Sequence, residues 1–182
     1  MKLSFSNTGR ICLVLGGARS GKSSYAESLA VESGLPVTYI ATYAAQVDDV
    51  EMAARIDTHL RRRPAHWRTV ENRFDLAELF SETPGSLCLL DCLTLWLSFQ
   101  QMQLVDELDI LRLLEAALLE ARDSRSHVLI VSNELGSGLV PSSPEGRSFR
   151  DLCGRANQLV ARYADAVELV VAGLPLRLKG AH

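Results

Sequence analysis

The 182-residue chain predicts an α/β fold in three layers, a mostly parallel central sheet with helices on both faces. Three observations carry that prediction. Apolar runs of four or five residues, long enough for strands buried on both faces, alternate with longer amphipathic stretches. Strand-helix alternation of this kind places the strands parallel and the helices on either side of them. The first apolar run then leads directly into Gly16-Gly17-Ala18-Arg19-Ser20-Gly21-Lys22-Ser23, which fits G-x-x-x-x-G-K-[ST] and makes the expected fold P-loop NTPase-like.

Strands are expected at 11–15, 37–41, 87–90, 128–131 and 167–171, with a further short one at 174–178. Runs of four or five bounded by Gly, Ser, Asp or Asn suit such strands. Helices are expected at about 22–33, 48–63, 74–80, 106–123 and 147–164, the fourth carrying Leu108, Leu111, Leu114 and Leu118 as an apolar stripe at helical spacing. Residues 141–146, with two prolines and a Gly, read as a loop. Residues 1–9 read as a loose extension before the first strand. Neither a repeat nor a low-complexity tract interrupts the pattern, so 1–182 is expected to form one nucleotide-binding domain.

Composition narrows the function. Apolar residues make up 47% and charged residues 23%, which are globular values that argue against disorder. A net charge of −3 gives no electrostatic reason to coat nucleic acid. The apolar runs fall far short of the ~20 residues of a membrane helix, and the N-terminal residues lack the apolar core of a secretory signal. Cys12, Cys88, Cys92 and Cys153 make neither a disulfide scaffold nor a zinc site, and read as reduced, buried thiols of a cytoplasmic protein. Only three lysines accompany the arginines, and Lys22 alone lies in the middle of the chain.

In the 16–23 loop the glycines let the backbone curl so that its N–H groups face phosphate oxygens, and the following helix N-terminus adds partial positive charge. Lys22 is placed to reach the β- and γ-phosphates, and the Ser23 hydroxyl to help hold Mg²⁺. Asp91 ends an apolar run, as does the metal-orienting carboxylate of Walker-B strands. The plainer alternative is an Asp that caps the segment from Cys92 onward. Glu134 ends another run and is expected to face the same crevice, as a general base, a hydroxyl ligand or a structural acceptor.

The segment 48–63 has acids in its first turn and arginines in its last, which suits the helix dipole. His59 shares one side with Arg55 and Ile56, and Arg62 follows it by three, so the group is able to meet a polyphosphate. On helix geometry alone a solvated basic end is the favoured reading. His66 reads as a loop residue, and His127 and His182 as structural or exposed.

Taken together these residues resemble a known family. Gly16 to Ser23, Tyr39-Ile-Ala-Thr42, Asp49 to Ile56 followed by His59, and Arg63-Pro-Ala-His-Trp-Arg-Thr-Val-Glu71 look like the bifunctional adenosylcobinamide kinase / adenosylcobinamide-phosphate guanylyltransferases of cobalamin biosynthesis. Leu90-Asp-Cys-Leu-Thr-Leu-Trp96, the segment from Val131-Ser-Asn-Glu-Leu-Gly136 to Pro141, and Phe149 to Gln158 agree, and the likeness runs from about residue 11 to 179.

The resemblance implies two reactions: phosphorylation of adenosylcobinamide by ATP or GTP, then transfer of GMP from GTP to adenosylcobinamide phosphate, giving adenosylcobinamide-GDP and pyrophosphate. It implies a guanylylated histidine, matched here by His59, with Thr58 where a family member carries a second His. Lys22 is the other catalytic candidate. The implied nucleotide contacts are Gly16, Gly17, Ala18, Arg19, Ser20, Gly21, Lys22, Ser23, Thr42, Tyr43, Ala44, Leu60, Arg61, Arg62, Arg63, Glu71 and Asp91, the last a Glu in some relatives. Ser23 and Asp91 are expected to hold Mg²⁺, partly through water. A homo-oligomer, specifically a trimer, is implied as well. Two other classes compete: a single-activity small-molecule kinase with a bystander His59, and an NTPase subunit whose hydrolysis ignores cobinamide.

Overall fold

The computed structural model describes residues 9–42, 63–103 and 105–180. Its first strand, β1 (Ile11–Gly16), runs into helix α1 (Lys22–Ser33), which begins after Gly21 and ends at Gly34, both at positive φ. There follow β2 (Val37–Ala41), β3 (Arg68–Glu71), α2 (Leu76–Ser81), β4 (Leu87–Asp91), α3 (Leu93–Met102), α4 (Glu107–Asp123), β5 (His127–Asn133), α5 (Pro144–Tyr163), β6 (Ala166–Val171) and β7 (Leu174–Lys179). The seven strands form one sheet in the order β3-β2-β4-β5-β1-β6-β7. All neighbours pair in parallel except β6 and β7.

Two apolar layers cover the sheet. On one face α1 packs Ala26, Leu29 and Ala30 against Cys12, Val14, Tyr39 and Val131. On the other, α2 to α5 pack Phe80, Trp96, Leu114 and Leu159 against Leu13, Ile40, Leu90 and Ile130. This is the expected three-layer, mostly parallel α/β arrangement. All four cysteines are free and buried. Burial pushes the Cys88 and Cys92 thiols up to about 11, which leaves them unreactive at neutral pH.

Several expectations need correction. Arg68–Glu71 is a strand that lacks an apolar run, because β3 lies at the sheet edge and buries only Val70. Leu93–Met102 is a helix whose stretch is apolar nearly all round, so no stripe marks it; Leu93, Trp96, Leu97 and Gln100 face inward at helical spacing. In α4 the buried face is Ile110, Leu114, Ala117, Leu118 and Ala121, while Leu108 is exposed. The expected loop at 141–146 gives way to helix at Pro144. Proline is tolerated in the first turn, where its missing N–H is not needed, and the Ser143 side chain accepts from the Gly146 N–H at 3.0 Å. The expected helix at 48–63 lies outside the described residues except for Arg63, which is not helical. So do residues 1–8 of the expected extension.

Parallel strands align their carboxyl ends on one edge. Gly16 pairs with Asn133 and with Val170, Asp91 with Val131 and with Ala41, and Ala41 with Glu71. Loops and carboxylates from six strands therefore share one rim, where open α/β sheets bind ligands.

Candidate active site

The 16–23 loop is held from two directions. The Glu134 N–H donates to the Gly16 carbonyl at 3.1 Å, and the Gly173 N–H in the β6–β7 turn donates to the Ser20 carbonyl at 2.8 Å. Two glycines permit the close packing. A Cβ on Gly16 would collide with the Ser20 side chain and lie 2.8 Å from the Val170 carbonyl, and Gly21 has φ +92° with Gly173 directly behind it. The Ser20 hydroxyl is buried without a hydrogen-bond partner among the described residues.

Lys22 is buried, and its ammonium donates to the Gly17 carbonyl at 3.1 Å, across the loop. Desolvation lowers its pKa, while Cys92 and Asp91 act in the opposite sense. Ser23, one residue on, donates from its hydroxyl to Asp91 Oδ1 at 3.3 Å. The second carboxylate oxygen, Oδ2, accepts from the Tyr39 hydroxyl at 2.7 Å. Burial, with Asp91 adding to it, raises the Tyr39 pKa far above neutrality, so the phenol remains a donor. The N-cap residue of α3 is Cys92, without a side-chain cap bond. Thr42 closes this corner: its hydroxyl donates to the Cys92 carbonyl at 2.7 Å and accepts from the Cys92 N–H at 2.9 Å.

Arg63 lays its guanidinium over the Tyr39 ring, 3.5 Å from the centroid, and Trp67 stacks against the same ring with centroids 6.5 Å apart. Nε and Nη1 of Arg63 are buried without hydrogen-bond partners among the described residues. Glu71 ends β3, two strands from Asp91, hence roughly 10 Å away at ~4.8 Å per strand.

The structure thus brings Gly16 to Ser23, Thr42, Arg63 and Asp91 to one rim, with Glu71 farther along it. Tyr43, Ala44, His59, Leu60, Arg61 and Arg62 lie outside the described residues. The carboxylate of Glu134 turns back on its own loop, accepting from the N–H groups of Gly136 at 2.7 Å and Ser137 at 3.1 Å. Burial acts to raise its pKa, but the bonds from Ser137 and Gly136 outweigh this and lower it. Of the three roles open to it, the structural acceptor is the one these bonds describe. His66 is exposed, and buried His127 accepts from the Arg10 N–H at 3.2 Å. Tyr39 was not among the expected site residues. Its signal was its position on β2 beside Leu89, two residues short of Asp91 and on the same face.

Mg²⁺ favours hard oxygen ligands and completes its shell with water and substrate phosphates. A serine hydroxyl and a carboxylate oxygen side by side, next to a buried Lys, suit that ion. Among the described residues no cluster of three or more His, Cys, Asp or Glu offers an all-protein metal cage.

A Gly-rich turn at the head of a helix, on the carboxyl rim of a parallel sheet, defines a P-loop nucleotide-binding protein. Solved structures agree on the fold. The Pyrococcus horikoshii OT3 protein PH0250 superposes with a TM-score of 0.59 at 9% identity, covering 100% of this chain and 94% of its own. A KaiC-like protein of the same organism gives 0.51 at 15% identity, with 89% and 71% covered. Sequence is more specific. Residues 12–178 match the family described as cobinamide kinase / cobinamide phosphate guanyltransferase, and the chain belongs to that family. It is 49% identical over 171 residues to the bifunctional adenosylcobalamin biosynthesis protein CobP of Pseudomonas aeruginosa, covering 92% of this chain and 96% of the relative. It is 40% identical over 185 residues to CobU of Escherichia coli K12, which carries the same description, with 92% and 98% covered. The protein is accordingly a kinase and a nucleotidyltransferase, as the residue motifs implied.

Proposed function

We propose that the single rim at Gly16 to Ser23 serves both reactions of this family, using ATP or GTP to phosphorylate adenosylcobinamide and GTP to guanylylate the product. The observation that supports one shared site is the Ser23–Asp91 contact beside Lys22, on a loop whose backbone suits a triphosphate. In the first reaction the amino-propanol hydroxyl oxygen attacks the γ-phosphorus, the nucleoside diphosphate leaves, and the hydroxyl proton passes to solvent. Lys22 neutralises charge that builds between the phosphates. In the second, a neutral nitrogen of His59 attacks the α-phosphorus of GTP and pyrophosphate leaves. A phosphate oxygen of adenosylcobinamide phosphate then breaks the P–N bond and takes GMP, freeing the imidazole. Arg61, Arg62 and Arg63 favour the neutral imidazole and stabilise charge on the transferring group. Tyr43, Ala44, Leu60, Thr42 and Glu71 complete the nucleotide contacts.

Ser23 and Asp91 would hold Mg²⁺, directly or through water. When bound, the ion supplies charge neutralisation at the phosphate oxygens.

The protein works as one domain over 1–182 in the cytoplasm, where its buried thiols stay reduced. It works as a homo-oligomer, specifically a trimer. Edge strand β7 supports association: Leu174, Leu176 and Leu178 alternate along it at 72%, 57% and 56% exposure, an apolar row unusual on a lone subunit. Incubation of adenosylcobinamide with GTP, with products separated by chromatography, tests the reading. Adenosylcobinamide phosphate followed by adenosylcobinamide-GDP is expected. Nucleotide hydrolysis that leaves cobinamide unchanged would refute it.

A further inference from the structure

Tyr39 stands at a junction between two parts of the site. On β2 it lies beside Leu89 of β4, so Asp91, two residues on, projects from the same face. Two strand residues advance ~6.6 Å, about the reach of a tyrosine side chain, which is why the hydroxyl meets Asp91 Oδ2 at 2.7 Å. This bond occupies one carboxylate oxygen and is one of the contacts that set the plane of the group. The other oxygen, Oδ1, is left facing Ser23 at 3.3 Å. The ring has a different neighbour. One face carries the Arg63 guanidinium at 3.5 Å, and Trp67 stacks on the same ring. Two Arg63 nitrogens are buried without hydrogen-bond partners among the described residues, and the aromatic face packs directly against this cation. Buried donors left without acceptors are costly unless an anion meets them when substrate binds.

We propose that Tyr39 is a positioning residue with two separable roles: its hydroxyl orients Asp91 for the divalent cation, and its ring holds Arg63 ready for a nucleotide phosphate. The inference rests on reading the 16–23 loop as the nucleotide site. Tyr39 touches neither metal nor nucleotide; it acts through Asp91 and Arg63. Removing the hydroxyl takes away one of the contacts that orient the Asp91 carboxylate and weakens the cation site. Removing the ring frees Arg63 and weakens phosphate binding even without metal.

The test measures two affinities on the purified full chain: GDP in the presence of EDTA, by calorimetry, and Mn²⁺ for the protein–GDP complex, by electron paramagnetic resonance. Tyr39→Phe keeps the ring and its packing. It is expected to weaken Mn²⁺ binding by about 3- to 10-fold, the size of one lost hydrogen bond, with metal-free GDP affinity within about twofold of wild type. Arg63→Gln should show the reverse, weaker metal-free GDP binding and unchanged Mn²⁺ affinity. Tyr39→Leu should show both losses. Near-ultraviolet circular dichroism confirms that each variant is folded, and the Phe and Gln variants carry the inference if the Leu variant is not. Unchanged Mn²⁺ affinity in Tyr39→Phe, or an equal fall in its metal-free GDP binding, overturns the proposal. A wild-type protein that binds no GDP would instead overturn the reading of the loop itself.

Discussion

Gly16 and Gly17 are adjacent in the phosphate loop, yet replacing each with Ala has opposite expected consequences. A Cβ on Gly16 lands on the Ser20 side chain and 2.8 Å from the carbonyl of Val170. The serine hydroxyl ends a short side chain that rotates about one bond. The carbonyl cannot turn away like this, because Val170 belongs to β6, which is hydrogen-bonded to β1 along its length. The first loop residue must then move off the sheet. Overpacking of this kind costs about 1–3 kcal/mol, which for a chain of this length lowers Tm by about 2–4 °C per kcal/mol. The loop's N–H groups shift with it, and a displacement near 1 Å costs roughly 10²-fold in transfer rate. A Cβ on Gly17 meets nothing within 4 Å and its φ is not in the left-handed region, so Tm should stay within about 1 °C of wild type. Differential scanning calorimetry and the cobinamide kinase assay, run in parallel on Gly16→Ala and Gly17→Ala, check both halves. Equal Tm values for the two variants, with Gly16→Ala fully active, would refute the claim that contact with β6 sets the loop's shape.

Three further outcomes follow from the proposed shared site. Lys22→Ala should slow kinase and guanylyl transfer alike by ~10²-fold or more, measured as initial rates with saturating nucleotide; full guanylyl transfer with only the kinase lost would require two nucleotide sites. Asp91→Asn keeps size but removes the charge, so the Mg²⁺ concentration for half-maximal rate should rise in both reactions; an unchanged Mg²⁺ titration would confine Asp91 to a structural role. His59→Asn should leave cobinamide phosphorylation measurable while abolishing acid-labile protein label from α-labelled GTP, with adenosylcobinamide phosphate accumulating; labelled variant protein would move the nucleophile elsewhere, with His66 the next residue to replace.

The strands of the inner sheet were legible because each carries an apolar run, interrupted only by Thr38 in β2 and Glu168 in β6, and helices α1, α4 and α5 were expected within a few residues of their bounds, α1 from the loop before it and α4 from its apolar stripe. What escaped was structure with weak or saturated patterning. In β3 only Val70 is buried, so four residues at a sheet edge carry no alternation long enough to register. In α3 the opposite holds: Leu, Trp and Phe on most sides of the helix erase the contrast between faces. Pro144 misled because proline ends helices but also begins them, and only the Ser143 cap to Gly146 decides between the two.

The candidate site divides along a similar physical line. Phosphate recognition by backbone N–H groups demands particular residues at fixed spacing, glycines where no Cβ fits and a lysine at the helix start, so sequence alone displays it. Asp91 was legible as the last residue of a buried run. Tyr39 was not, because its contribution depends on register: it meets Asp91 only because β2 and β4 pair with Tyr39 beside Leu89. The same is true of Gly173, whose N–H reaches the Ser20 carbonyl because the β6–β7 turn folds back beside β1. A one-residue slip of β2 would carry Tyr39 to the opposite face and leave Oδ2 of Asp91 without the phenol, and Arg63 without the ring beneath it. The loop is legible from its residue spacing, but the strand register determines how the carboxylate and the arginine stand around it.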